Sequence, residues 1–229
     1  MFNSKRKKEA IIKKFMSSEE FARFSETPTT IDRNKVKICF IDDEGYSSLD
    51  KLTALGYKNI TVKYEFNDLE EFSDFDVIFC DIQGIGKNIY PKYQGYDVAV
   101  ELKKKFPSCI VFIYTGKDLS QYPPLPNGIK YISKQTTMKD IVAILDNSCE
   151  YLWNPIVAWK MIENDLRSKN TPNKYIAYLE DRFFTSIANN RNEVSESYFS
   201  ANLNTFNDVK YFITTAIAIV DIILRFQGR

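Results

Sequence analysis

Polar side chains that could do chemistry follow several apolar runs of the sequence, and Asp81 stands at the centre of this pattern. Four apolar residues, Val77 to Cys80, lead directly into its carboxylate, and such a run is typical of a strand buried on both faces. A charge inside the strand would be costly. Asp81 is therefore expected at the carboxyl end of the strand, where the ligands of open α/β sheets collect.

Three other apolar runs also end in polar residues. They are Lys35 to Ile41 before Asp42 and Asp43, Cys109 to Tyr114 before Thr115, and Ile129 to Ile132 before Ser133 and Lys134. The carboxyl ends of parallel strands share one edge of the sheet, so these groups can converge with Asp81. Three neighbouring carboxylates repel one another unless a cation intervenes, and their oxygens suit Mg²⁺. The lysine and the hydroxyl could bind a transferred phosphoryl group, with an aspartate as its nucleophile.

The elements that must position these groups alternate along the chain. Further runs predict a strand over residues 60–66 and helices over 47–55, 96–106 and 138–152. The segment 67–75 has room for a single helical turn at most, and prolines in 119–128 disfavour a full helix. Strands that alternate with helices predict a parallel sheet of five strands, covered on both faces.

The strand pattern ends near Trp153, and helical spacing replaces it. Helices are predicted over 155–168, from Pro172, and from Ser195 or Ser197 to Phe226 with a possible interruption at 204–207. Residues 5–25 are also predicted to be helical. We therefore divide the chain into an N-terminal helical arm at 1–34, an α/β domain at 35–152 and a helical domain at 153–229. The apolar stretch 211–224 is shorter than the ~20 residues of a membrane span and holds Asp221, which favours a buried helix.

Composition excludes several function classes. A net charge of +1 gives no general attraction to nucleic acid, and no helix-turn-helix pattern is found. The absence of histidine excludes Ser-His and Cys-His catalysis and histidine metal ligands. The four cysteines are far apart, as expected of buried thiols in a cytoplasmic protein. No apolar segment follows the basic N-terminus, so a secretory signal is not predicted.

Four segments, in order, resemble the receiver domain of bacterial response regulators. They are Phe40-Ile-Asp42-Asp43-Glu, Ile78-Phe-Cys-Asp81-Ile, Ile113-Tyr-Thr115-Gly and Tyr131-Ile-Ser-Lys134. The resemblance covers about residues 35–152. It implies a flavodoxin-like sheet in the order 2-1-3-4-5, and a regulatory phosphoacceptor rather than an enzyme, with at most slow autodephosphorylation. It also implies that a sensor histidine kinase or phosphotransfer protein supplies the phosphoryl group.

The resemblance assigns a role to each residue of the site. Asp81 would accept the phosphoryl group, and Asp43, Asp81 and the backbone carbonyl of Gln83 would bind Mg²⁺ directly. Asp42 would act mainly through water. Thr115 would bond a phosphoryl oxygen, and Lys134 would pair with the phosphate. Tyr131 corresponds to the aromatic residue that swings inward on activation.

The sequence departs from the receiver pattern in four places. The loop after Asp81 is longer and lacks a Met-Pro pair, and Gln135 stands where proline is common. The helix before the third strand is nearly absent, and a proline-rich loop replaces the fourth helix. The family often signals through the face that this fourth helix helps to form. The residues of the pocket are thus present, whereas the output surface is altered.

The sequence is also compatible with other functions. The domain could be a pseudo-receiver that binds partners without being phosphorylated. A Mg²⁺-dependent enzyme is a further alternative, either a nuclease or a phosphatase of the haloacid-dehalogenase type, whose Asp-x-Asp pattern Asp42 and Glu44 weakly match. Taken singly, Asp42 and Asp43 could cap a helix, Thr115 and Lys134 could be ordinary polar residues, and Tyr131 could belong to the core. The C-terminal helices could form a homodimer, bind a downstream protein or act as an effector, and their aromatic residues are expected to be packing.

Overall fold

The computed structural model describes residues 31–202 and 206–226. The helix predicted over 5–25, and most of the arm at 1–34, lie outside the described residues. The chain divides into two compact units, with the boundary between Glu150 and Tyr151. We call residues 31–150 the sheet unit and the described residues from 151 onward the helical unit.

The sheet unit is built on five parallel strands. They are β1 (Lys37–Ile41), β2 (Asn59–Lys63), β3 (Val77–Cys80), β4 (Ile110–Thr115) and β5 (Ile129–Ser133). Their order is β2-β1-β3-β4-β5, and all neighbouring pairs are parallel. This confirms the predicted flavodoxin-like α/β fold. Every residue of β3 and β4 is buried, because helices cover both faces of a parallel sheet and no strand face is left for water.

Two α-helices and a single turn lie between strands of the sheet, and a third α-helix follows β5. They are α1 (Leu49–Ala54), α2 (Gly95–Lys105) and α3 (Met138–Cys149), with a 3-10 helix at Leu69–Phe72 between β2 and β3. The single turn predicted there is confirmed. The described backbone of 116–128 contains no helix, as its prolines predicted. Helix α3 begins at Thr137, whose side chain accepts a hydrogen bond from the Asp140 N–H, and a 3-10 helix follows at Glu150–Leu152.

Alternate residues of the central strands form two separate cores. On one face, Ile78, Cys80 and Val111 pack with Val98 and Leu102 of helix α2. The opposite face carries three stacked rings at Phe40, Phe79 and Phe112, with centroids 4.5 Å and 5.0 Å apart. Helices α1 and α3 contact each other. The crossover from β1 to β2 and the crossover from β3 to β4 run in opposite directions across the sheet, so right-handed connections place α1 on the face opposite α2. Because α3 contacts α1, it lies on the same face as α1.

The helical unit contains four described helices. They are α4 (Pro155–Ser168), α5 (Asn173–Ala188), α6 (Glu196–Asn202) and α7 (Phe206–Phe226). Helix α7 packs against each of the other three. About three helices were predicted, the last with a possible interruption at 204–207, and this last stretch forms both α6 and α7. Helix α6 ends at Asn202, and asparagine favours turns and caps over helix interiors.

The apolar stretch 211–224 belongs to the core of the helical unit. Residues of α7 at helical spacing, including Ile213, Ala216 and Val220, are fully or almost fully buried there. None of the helices in the described parts of the chain has the length and apolar character that crossing a bilayer requires.

Candidate functional site

Asp42 and Asp81 lie side by side at the carboxyl edge of the sheet. They directly follow the neighbouring strands β1 and β3, in which Ile41 is paired with Cys80. The Asp81 N–H donates to the Ile41 carbonyl at 2.9 Å, so the main chain holds Asp81 in register as the ladder ends. Only 2% of Asp42 and 6% of Asp81 is exposed. Two buried carboxylates this close require a positive charge beside them.

Lys134 supplies that charge from the end of β5. Its Nζ lies 2.7 Å from Asp42 Oδ2 and 2.6 Å from Asp81 Oδ2. Its backbone N–H donates to the Thr115 carbonyl at 3.1 Å, which anchors its main chain to β4. Burial alone would lower the pKa of Lys134, but hydrogen bonds and attraction to Asp42 and Asp81 raise it above the ordinary value. Lys134 therefore stays protonated.

The second oxygen of each buried carboxylate accepts a backbone N–H. Asp42 Oδ1 accepts from Glu44 at 3.0 Å, and Asp81 Oδ1 accepts from Ile82 at 2.7 Å. Each carboxylate is thus held on one oxygen by the main chain and on the other by Lys134. This fixes the planes of both groups before any ligand binds.

Asp43 completes an acidic cluster that could hold a metal ion. Oxygens of Asp42, Asp43 and Asp81 lie within 4.8 Å of one another, and Asp43 is exposed. Three carboxylates and one ammonium leave two negative charges, which is the charge that one divalent cation would neutralise. All the donors are oxygens, as Mg²⁺ prefers. The residues present therefore fit the predicted Mg²⁺.

Thr115, Gln83 and Tyr131 are the other residues predicted from the sequence. Thr115 is buried at the end of β4, and its Oγ1 accepts a hydrogen bond from the Lys117 N–H at 3.3 Å. Gln83 lies in the exposed start of the loop after Asp81. Tyr131 lies opposite Ile113 on β5 and is 43% exposed, so the interpretation as a core residue is wrong. The roles of Thr115, Gln83 and Tyr131 stay predictions.

Two glycines allow the loop after Asp81 to approach the site closely. A Cβ on Gly84 would lie 1.7 Å from Asp43 Oδ2, and one on Gly95 would lie 1.8 Å from the Asp81 carbonyl oxygen. Neither position could carry a side chain without displacing an acidic residue of the site. These two approaches could not be predicted from the sequence, because they depend on how the loop folds back.

Three aromatic residues, Tyr114, Tyr46 and Phe40, lie together beside Lys134. Its Nζ lies 5.9 Å from the centre of the Tyr114 ring, which meets Tyr46 and Phe40 edge-on. Phe40 and Tyr46 are stacked with ring centres 3.8 Å apart. Burial raises the pKa of both tyrosines, so they remain neutral. These aromatic contacts were not predicted from the sequence; aromatic residues at a strand end and in the next loop are the signal that could have suggested them.

No family model matches this chain, and neither does any curated protein. Among solved structures, the chain is similar to a response regulator protein from Burkholderia pseudomallei, crystallised with a phosphorylated aspartic acid, a calcium ion and citrate. The similarity has 18% identity and a TM-score of 0.35, and it covers 68% of this chain and 93% of that one. Values this low carry no functional argument, and the geometry of the site is the basis for assigning a function.

Proposed function

We propose that the sheet unit is a phosphoacceptor of a phosphorelay, with Asp81 as the residue that is modified. The observation that carries this proposal is the position of Lys134, whose ammonium contacts the buried carboxylates of Asp42 and Asp81 at once. Phosphoryl transfer to a carboxylate needs an anionic nucleophile with a fixed cation close to it. Asp81 and Lys134, whose Nζ lies 2.6 Å from Asp81 Oδ2, provide this pair.

The transfer is a simple displacement at phosphorus. An oxygen of Asp81 forms a P–O bond, the bond between phosphorus and the donor's leaving group breaks, and that group leaves with the electron pair. Lys134 neutralises charge on the transferred oxygens, and Thr115 donates its hydroxyl hydrogen to one of them. The backbone N–H of Ile82 holds Asp81 in place during the displacement.

Asp42, Asp43 and Asp81, with the Gln83 carbonyl, would hold Mg²⁺. The bound ion would supply positive charge that offsets repulsion between the acidic cluster and an incoming phosphoryl group. The exposed position of Asp43 leaves the cluster open to solvent on that side, which suits an ion that keeps part of its water shell.

A phosphoryl group on Asp81 would act as a regulatory signal. It adds charge beside Lys134 and Thr115, and both residues lie where β4 and β5 end. Tyr131 on β5 is exposed and would change position when Lys134 and Thr115 bind the phosphoryl group. A sensor histidine kinase or phosphotransfer protein would donate the group in the cytoplasm, and the helical unit would bind a downstream protein or a second copy.

Phosphoryl transfer can be tested directly on the full chain. We expect incubation with Mg²⁺ and acetyl phosphate to add the mass of one phosphoryl group to the wild-type protein and none to Asp81→Asn. Asp74→Asn, an exposed carboxylate before β3, is the matched control and should be labelled like wild type. Equal labelling of Asp81→Asn, or no labelling of a folded wild-type protein, would overturn the proposal.

A second candidate is a pseudo-receiver that binds partners without phosphorylation. The ion pairs from Lys134 to both carboxylates favour it, because they already compensate much of the buried charge. Beryllofluoride mimics a phosphoryl group on aspartate, so it can distinguish the phosphoacceptor from the pseudo-receiver. Shifts in the amide resonances of Thr115 and Tyr131 on adding it with Mg²⁺ favour the phosphoacceptor, and an unchanged spectrum favours the interaction module.

A further inference from the structure

Gln94 closes the loop that follows Asp81, and its backbone has a conformation that residues with a side chain rarely adopt. Its φ is 50° and its ψ is −123°, directly before helix α2. Glycine reaches this region without strain. Strain at a residue of another type persists only where surrounding contacts impose it, and such residues are concentrated at functional sites. The contacts of the Gln94 side chain therefore indicate its role.

The Gln94 side chain ties the end of the loop to its beginning. Its Oε1 accepts a hydrogen bond from the Gly84 N–H at 3.1 Å. Its own main chain is fixed, since its N–H donates to the Tyr90 carbonyl at 2.8 Å and its carbonyl accepts from the Val98 N–H at 3.1 Å. Gln94 is thus anchored to the first turn of α2 and holds Gly84 from there.

Gly84 in turn lies against the Asp43 carboxylate. Its φ is +80°, and a Cβ there would lie 1.7 Å from Oδ2 and 2.1 Å from Cγ of Asp43. In the part of the chain that the structure describes, no hydrogen-bond donor is assigned to the Asp43 carboxylate. The Gly84 main chain therefore limits where this exposed side chain can lie.

We propose that Gln94 is a positioning residue for the divalent cation, acting through Gly84 on the Asp43 carboxylate. This inference rests on the proposed function, in which Asp43 is one of the cation's ligands. Without the Gln94 amide oxygen, the Gly84 N–H loses its partner, the start of the loop can move, and Asp43 has a wider range of positions. Removing such an outer partner weakens metal binding about 10- to 100-fold.

Two substitutions separate the hydrogen bond from the backbone strain. Gln94→Gly removes both, whereas Gln94→Met keeps the side-chain volume and the strain but removes the oxygen. Mg²⁺ is titrated into the full-length chain by calorimetry, and the Gly84 amide resonance is followed by NMR. We expect both variants to bind Mg²⁺ about 10-fold more weakly with a shifted Gly84 resonance. We expect Gln94→Gly to unfold at the same or a higher temperature than wild type, which a role in folding alone would not produce.

Asn170→Gly is the matched control, because Asn170 also has a positive φ, of 55°, and lies in the helical unit, away from the acidic cluster in sequence. Its Mg²⁺ affinity should equal that of wild type. If wild type binds Mg²⁺ and both Gln94 variants bind it equally well, this inference is overturned and the proposed function stands. If folded wild type binds no Mg²⁺, both are overturned together.

Discussion

The Nζ of Lys134 lies 2.6 Å from Oδ2 of Asp81, although the two residues are 53 positions apart in the chain. The pair joins the ends of β3 and β5, which are separated in the sheet by β4. Asp81 is almost fully buried, whereas 29% of the Lys134 side chain is exposed. Lys134 thus covers the carboxylate on its solvent side.

Lys134→Met should destabilise the sheet unit. It leaves the buried carboxylates of Asp42 and Asp81 without a counter-charge. Breaking a buried pair of this kind costs about 3 kcal/mol of unfolding free energy, at the low end because Lys134 is partly exposed. Urea unfolding in the presence of a chelator measures this loss. Added Mg²⁺ should restore more stability to Lys134→Met than it adds to wild type, because the variant's cluster carries one more uncompensated negative charge. Lys117→Met, an exposed lysine close by in sequence, should unfold like wild type.

Gly95→Ala should be one of the most damaging small substitutions in the sheet unit. A Cβ there would lie 1.8 Å from the Asp81 carbonyl oxygen and 3.0 Å from the Ile82 Cα, and main chain cannot move aside as a flexible side chain can. We expect a loss of about 3 kcal/mol in unfolding free energy. Gly116→Ala is the matched control, since nothing lies within 4 Å of its added Cβ. Equal stability of the two variants would contradict the close packing of Gly95 on Asp81.

Much of the fold and part of the site could be predicted from the sequence. Apolar runs such as Val77 to Cys80 identify strands, and the shared edge of a parallel sheet then brings Asp42, Asp81 and Lys134 together. This prediction depends only on local patterns and one rule of topology. The possible interruption predicted at 204–207 is close to where α6 ends at Asn202 and α7 begins at Phe206.

The contacts that arise from loop folding could not be predicted. The approach of Gly84 to Asp43 and the backbone strain at Gln94 depend on how the loop 82–94 returns to the sheet, and periodicity carries no information about that path. The outward position of Tyr131 is a similar case. Alternation along β5 could not decide its exposure, because the path of the loop between β4 and β5 determines what covers that strand.

Asp146→Asn should weaken the attachment of the residues before β1 to helix α3. Arg33 binds Asp146 through two hydrogen bonds, Nε to Oδ1 at 3.0 Å and Nη2 to Oδ2 at 2.6 Å, and the Tyr57 hydroxyl donates to Oδ1 at 2.8 Å. Both ion-pair side chains are about one-third exposed, so we expect a loss of about 1–2 kcal/mol in unfolding free energy. Urea unfolding measures it. Asp140→Asn, on the exposed start of α3, should lose less, and a larger loss there would contradict this ranking.

Glu180→Gln should stabilise the helical unit at neutral pH and leave its stability unchanged in acid. Burial raises the pKa of Glu180, and repulsion from Glu163 adds to the shift, while Arg167 opposes it. The folded state therefore binds the proton more tightly than the unfolded state does. Stability falls as pH rises from the ordinary pKa through the raised one, and the loss is complete above both.

The melting temperature of Glu180→Gln should accordingly exceed that of wild type by about 1–2 °C at pH 7, with the difference vanishing near pH 4. Thermal unfolding at a series of pH values measures this difference. Glu150→Gln, at an exposed carboxylate, is the control and should show no such trend. A gain for Glu180→Gln that persists unchanged at pH 4 would show that the substitution acts through packing, and the argument from ionisation would fail.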